Sequence, residues 1–253
     1  MSAELVRARL NLGAVLKNLE FVGTVDAEAA AITASWNISM QFTIPRGPAA
    51  WVAYSNGTCR QDTGQHPSPD VRLLFVSPAH LNKMFAGSGM PIPVKGFSRL
   101  GFLKNDFPKI TERLEAILKP KTDPLADDAL LAANTTLTLC TAAHAVRELV
   151  LSDPVCAGIA AGTPAGTLQM RVLPDGPAAW IRFGPGGVTA GMGTVEKPDA
   201  KMLFRDMRTA HGVLSGKCDG FTAIGRGGVE VWGMLPLVDN ASLIMDRVER
   251  YLA

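Results

Sequence analysis

Two stretches decide the fold: Pro45-Arg46-Gly47-Pro48-Ala49-Ala50-Trp51 and Pro174-Asp175-Gly176-Pro177-Ala178-Ala179-Trp180. They open two copies of one segment, residues 45–87 and 174–216, which align without a gap. Gly57, Gly64, Pro69, Asp70, Leu74, Phe75 and Gly87 recur as Gly186, Gly193, Pro198, Asp199, Leu203, Phe204 and Gly216. An ungapped match of this length marks an internal duplication, and its period is that of a domain rather than of a solenoid repeat. Working outward, the chain divides into two similar domains, 1–120 and 125–253, joined by Lys119-Pro120-Lys121-Thr122-Asp123-Pro124.

Each copy reads as helix, four strands, helix, strand, helix. Leu5, Leu10, Leu12, Val15, Leu16, Leu19 and Phe21 predict an amphipathic helix over 4–22, and a second, alanine-rich helix follows at 26–35. Ile38, Met40, Phe42 and Ile44 then alternate with polar residues, as a strand with one buried face does. Asn56-Gly57 supplies the positive φ angles of a two-residue hairpin. Gly184-Pro185-Gly186-Gly187 stands at the same place in the second copy, so it is read as a turn and not as a phosphate loop. Val71, Leu73 and Phe75 face one way on the fourth strand, as Ala200, Met202 and Phe204 do in the second copy. Ser77 with Pro78, and Asp206, start the next helices, which Gly87 and Gly216 stop. A last strand is expected over Gly96 to Phe102 and Val229 to Met234. Asp106 and Asp239 are expected to cap the closing helices. The second domain opens on a long helix from about 126 to 150. The fold class is α+β: two tandem domains, each a mostly antiparallel five-stranded sheet with helices on one face.

Bulk properties narrow the function. The 253 residues are 47% hydrophobic and 19% charged, with a net charge of +2. No basic stripe points to nucleic acid. Cys59, Cys140, Cys156 and Cys218 lie at irregular spacings and read as packed thiols of a cytoplasmic protein. The first residues, Met1 to Arg7, lack the apolar run of a signal peptide. Leu130 to Val146 is broken by threonines and His144 and reads as too short and polar to span a bilayer. At most transient membrane contact is expected.

The stretches Pro69-Asp70-Val71-Arg72-Leu73-Leu74-Phe75 with Leu81-Asn82-Lys83-Met84-Phe85-Ala86-Gly87, and Asp199-Ala200-Lys201-Met202-Leu203-Phe204 with His211-Gly212-Val213-Leu214-Ser215-Gly216, resemble the sterol carrier protein 2 family of lipid-binding domains. The resemblance covers most of both halves. It implies a hydrophobic tunnel between sheet and helices that binds sterols, fatty acids or fatty acyl-CoA and transfers them without chemical change. The lining it implies is Phe42, Phe75, Leu81, Met84, Phe85, Met90 and Phe102 in the first copy. In the second it is Met202, Phe204, Val213, Leu214, Phe221 and Met245, with Met207 beside them. Methionines re-pack around variable ligands, which suits this role. The ending Tyr251-Leu252-Ala253 departs from the Ser-Lys-Leu peroxisomal signal, so a cytosolic, bacterial-style tandem form is expected.

No cofactor, metal or catalytic residue is expected. Cys140 and His144, one helical turn apart, could share a metal but have no third ligand at suitable spacing. No Gly-x-Ser-x-Gly elbow appears. Asp70 and Asp199, each after a proline, read as turn residues. Trp51, Leu74, Trp180 and Leu203 point from the sheet face opposite Ala50, Val52 and Tyr54, or Ala179, Ile181 and Phe183. They are read as a surface for inter-domain or homodimer contact. Two other functions remain open: an accessory or enzymatic protein that positions an acyl substrate, and an interaction module whose cavities are filled by its own side chains.

Overall fold

The computed structural model describes residues 2–252. Met1 and Ala253, on which the readings of the two termini partly rest, lie outside the described residues. The chain forms two compact units, one ending at Lys119 and the other beginning at Pro120.

In the first unit, α1 (Ala3–Leu10) runs into a π-helical turn (Asn11–Val15) and a 3-10 turn (Leu16–Glu20), then α2 (Val22–Val25) and α3 (Ala27–Thr33). The expected single helix over 4–22 is therefore interrupted. Gly13 sits inside the widened turn, and Asn18 bonds back to the Val15 carbonyl at 3.2 Å rather than leaving the ladder to the backbone alone. The sheet follows: β1 (Ile38–Thr43), β2 (Ala49–Ser55), β3 (Thr58–Thr63), β4 (Val71–Leu74) and β5 (Ile92–Lys95). The helices α4 (Pro78–Phe85), α5 (Leu100–Asn105) and α6 (Phe107–Leu118) complete the unit.

The second unit opens on α7 (Asp128–Ser152) and α8 (Pro154–Ala161), followed by β6 (Gly166–Val172), β7 (Ala178–Gly184), β8 (Gly187–Met192) and β9 (Ala200–Phe204). Then come α9 (Met207–Leu214), α10 (Gly220–Gly225), β10 (Val229–Gly233), α11 (Leu235–Met245) and α12 (Glu249–Leu252). By length and composition α7 could cross a membrane, contrary to the reading of this stretch as too short, yet 61% of its most apolar window is buried. It packs on β7, β8 and α9, as the core helix of its unit.

Strand order is β3-β2-β1-β4-β5 in one sheet and β8-β7-β6-β9-β10 in the other. Every pairing is antiparallel except the central ones, β1 with β4 and β6 with β9. Alternation decides the faces: Ala50, Val52, Tyr54, Val71, Leu73 and Phe75 are buried under the helices, as are Ala179, Ile181, Phe183, Ala200, Met202 and Phe204. The hairpin at Asn56-Gly57 has φ of 47° and 79°, which fits a turn needing two left-handed residues. Ser77 caps α4 through the His80 amide, Asp206 caps α9 through the Thr209 amide, and Gly87 and Gly216 adopt left-handed φ of 73° and 69° at the helix ends.

Three expectations need correction. The last strand of the first unit is Ile92–Lys95, not Gly96 to Phe102: Gly96 turns left-handed at φ 86° and starts a 3-10 turn that leads into α5. Phe97, Leu100 and Phe102 thus belong to helical turns, where spacings of two and three residues are ambiguous between the two periods. Asp106 stands at the N-cap of α6, but its side chain reaches Lys109 at 3.0 Å instead of an amide. Asp239 lies within α11, whose start is set by Pro236 in its first turn.

Candidate functional site

Connecting β3 to β4, the chain must cross β2 and β1, and residues 64–69 do this over the face opposite the helices. A buried glutamine fixes the crossing. Gln41 Nε2 donates to the carbonyls of Phe42, Ala50 and Gly64 at 3.0, 3.0 and 3.1 Å, and its Oε1 accepts from the His66 amide at 2.6 Å. Gln169 repeats all four bonds, to Met170, Ala179, Gly193 and Val195. Asp70 is not the local turn residue that its proline suggested. It accepts from the Ser39 amide and hydroxyl at 2.7 Å, which holds its carboxyl below the usual range, and Asp199 accepts from the Thr167 amide at 2.7 Å. Each aspartate thereby ties the start of the parallel pair.

The outward tryptophans have neighbours on this same face. Trp51 meets the His66 ring edge-on at 5.0 Å. Trp180 lies against Gly191, where a Cβ would come within 2.6 Å of the indole, and Arg182 stands 5.6 Å over its ring. Both tryptophans are half-buried.

On the helical side of the sheets, the predicted lining residues form a graded series of exposure. Phe42, Phe75 and Leu81 are fully buried, Met84, Phe85 and Phe102 half-buried, and Met90 is 81% exposed. The second unit repeats the gradient, with Met202 and Phe204 buried, Val213, Leu214 and Met245 half-buried, and Phe221 82% exposed. Met207 is half-buried beside them. The first unit fills its interior with rings: Tyr54, Trp36, Phe102, Phe107, Phe42 and Phe75 follow one another with successive centroid distances of 5.0, 4.7, 6.4, 6.5 and 6.4 Å. At the strand position of Phe42 the second unit has Met170, paired with Ala179 and Met202 as Phe42 is with Ala50 and Leu73.

Buried polar groups beside this lining are engaged in joining elements. Asn11 Nδ2 donates to Asn82 Oδ1 at 3.0 Å, tying the opening helical segment to α4, and His211 Nδ1 meets Asn134 Oδ1 at 3.0 Å between α7 and α9. Burial, and then Lys217, hold the His211 imidazole below its ordinary value. Two aspartate–arginine clips secure the closing helices. Asp26 caps α3 and pairs with Arg113 of α6 at 2.9 Å; Asp153 caps α8 and accepts from Arg247 at 2.8 Å and from the Tyr251 hydroxyl at 2.9 Å. Burial alone would raise Asp153, but its hydrogen bonds outweigh this and keep it below the usual carboxylate value. Burial pushes the Cys59 thiol up to about 12 and Cys156 to about 11, so neither is a ready thiolate. All four cysteines are free, and among the described residues no three His, Cys, Asp or Glu side chains gather as a metal site.

A groove that the sequence did not suggest opens on the outer face of the second sheet. Its volume is about 370 Å³, and Asp199, Lys201, Leu203, Glu230 and Trp232 line it with Pro198, Ala200 and Gly233. Trp232 is 61% exposed and aligned with Lys201 across the strands. The alternation along Val229–Gly233 was the available signal, since it sends Glu230 and Trp232 to the face that lacks helices.

No family model and no curated protein matches the chain. Solved structures of sterol carrier protein 2 domains are similar to it. The sterol carrier protein domain 2 of Helicoverpa armigera is 16% identical, with a TM-score of 0.35, over 46% of this chain and 91% of that one. A conserved hypothetical protein of Thermus thermophilus, described as possibly sterol carrier protein, is 26% identical with a TM-score of 0.33, over 44% and 85%. Palmitated SCP2L2 of Aedes aegypti is 16% identical with a TM-score of 0.31, over 39% and 86%. Each match spans a share of the chain comparable with one of its two units.

Proposed function

We propose that this chain is a non-catalytic carrier of lipids, of sterol, fatty acid or fatty acyl-CoA type, held between the sheet and helices of a unit and moved within the cytoplasm. The observation that carries the reading is the exposure gradient. In both units, at matching places in the order of elements, the apolar side chains grade from fully buried through half-buried to exposed. A lipid chain entering there displaces flexible, half-buried groups such as Met84 or Met245 and exchanges water for hydrocarbon. Burying about sixteen methylenes is worth on the order of 12 kcal/mol gross, before ordering costs. The polar groups beside the lining hold helices and straps together, which supports binding rather than bond making.

The ring series of the first unit favours a second reading for that unit alone, as a filled module with little room for a guest. Native mass spectrometry of the whole chain with palmitate and with palmitoyl-CoA tests both. Uptake of intact lipid is expected, reduced by Leu214→Asp, which places a carboxylate in the half-buried tier. Absence of uptake with all lipid classes tried, or release of free CoA, would overturn the carrier.

A further inference from the structure

Between Val71 and Asn105 the first unit carries Arg72, Lys83, Lys95, Arg99 and Lys104 and neither aspartate nor glutamate. Within the same stretch Met90, Ile92, Val94, Phe97 and Leu100 are exposed, Phe97 by 64%. A water-facing edge seldom gathers large apolar groups and one sign of charge together. The corresponding part of the second unit mixes signs, with Asp206, Asp219 and Glu230 among Arg205, Arg208, Lys217 and Arg226.

The segment is held in place. The amides of Ser88 and Gly89 donate to the Lys83 carbonyl at 2.9 and 3.0 Å, and His80 Nε2 lies 2.8 Å from the Met90 carbonyl oxygen. Gly96 is pressed onto β4, where a Cβ would stand 2.5 Å from the Asp70 carbonyl oxygen. The Arg99 amide closes the following turn onto Gly96 at 2.8 Å, and Phe102 is anchored edge-on to Trp36 at 4.7 Å. Apolar and cationic groups are thus presented by ordered backbone.

We propose that residues 88–104 dock the first unit onto an anionic phospholipid surface. Phe97, Val94 and Leu100 enter the boundary between headgroups and acyl chains, while Arg99 and Lys104 face the headgroup charge and Lys95 is held to the Pro69 carbonyl. Interleaving of apolar and basic side chains over so short a segment matches the two layers of that boundary. A second copy of the chain is a poor occupant: Pro93 leaves the outer strand β5 without one of the amides that strand addition needs, and Pro91 stands just before it. The proposal does not depend on lipid being carried inside a unit, because it concerns the outside of one.

Co-sedimentation of the full chain with vesicles tests it, comparing pure phosphatidylcholine with phosphatidylcholine containing one third phosphatidylglycerol. At about 0.1 M salt, where screening acts over ~10 Å, the chain is expected to partition to the anionic vesicles and to be released as salt rises. Each cation near such a surface contributes roughly fivefold, so Arg99→Glu with Lys104→Glu is expected to weaken partitioning by at least about 25-fold. Phe97→Ser is expected to cost about tenfold. Leu243→Ser, an exposed apolar control in the second unit outside the lining, binds as the native chain does. Thermal melts of all variants are run alongside, and Phe97→Ser, at an exposed site, keeps the native melting temperature. The proposal is overturned if the native chain ignores anionic vesicles, if Phe97→Ser binds undiminished, or if Leu243→Ser loses as much. Retention on heparin without retention on vesicles overturns it too and points to an acidic macromolecule instead.

Discussion

Phe42 of the first unit stacks on Phe75, with ring centroids 6.4 Å apart, where the second unit places Met170 between Ala179 and Met202. The frameworks around these residues are alike, down to the four bonds of Gln41 and Gln169 and the ties of Asp70 and Asp199. What has diverged is the filling. Rings pack as rigid plates with preferred offsets, whereas thioethers adjust through three rotatable bonds. Duplication has therefore kept the directional bonds that set the topology and varied the side chains that determine how easily the interior yields. The clips diverge as well: Asp26 and Arg113 are 11% and 33% exposed, while Asp153 and Arg247 are 2% and 22% exposed and Asp153 gains Tyr251 as a further donor.

The clips give the largest expected difference. Asp153→Ala removes the carboxylate that Arg247 and Tyr251 share and leaves a guanidinium with 22% of its side chain exposed, so it should destabilise the second unit by about 3–5 kcal/mol. Asp26→Ala should cost the first unit about 1–2 kcal/mol, mostly as a lost helix cap, since its ion pair is partly screened. Urea titrations of each variant, read by near-ultraviolet dichroism, measure both; equal losses would remove the distinction.

Exchanging the fillings sharpens the comparison at an intermediate level. Phe42→Met should open the first unit to a fluorescent fatty acid, and Met170→Phe should weaken uptake by the second about tenfold, a change of roughly 1.4 kcal/mol. Such core exchanges usually cost less than about 1.5 kcal/mol of stability, so the fold should persist. Unchanged binding stoichiometry in both variants would sever the link between ring packing and capacity.

The smallest effect concerns pH. His211 is held below its ordinary value of 6.5, so the folded chain binds fewer protons there than the unfolded one. The second unit's stability is then complete above about 6.5 and declines as pH falls below it. His211→Asn restores the residue that stands at the matching place in the first unit, Asn82. It should flatten the dependence of the melting temperature between pH 7 and pH 5, within the range where histidine titrates. A slope unaltered by the substitution would assign the effect elsewhere.

Local signals carried much of this structure. Alternation along Val71–Phe75, the Asn56-Gly57 hairpin, the caps at Ser77 and Asp206 and the stops at Gly87 and Gly216 each depend on neighbours a few residues away. Signals failed where the partner is remote. Asp26 and Arg113 are 87 positions apart, and Asp153 and Arg247 are 94, so no window along the sequence could pair them. The matching roles of Gln41 and Gln169 were hidden by Leu173, a single extra residue that breaks the ungapped alignment just upstream of Pro174. Phe97 to Phe102 misled because its spacing fits either period. The residues read as lining are an apolar set in the sequence, but their ordering from core to surface depends on the helices and could not be read from it.

The parallel pairing of β1 with β4 shapes how the molecule is born. As the chain leaves the ribosome, β1, β2 and β3 can fold back on one another as soon as Thr63 has emerged. One side of β1 then stays open until residues 71–74 follow, and during that interval the nascent sheet exposes a strand edge able to join another unfinished chain. The second unit passes through the same interval before Phe204 appears. A pause while residues 64–69 are emerging would lengthen the exposure, so a delay is least tolerable once Thr63 is out and Val71 is not.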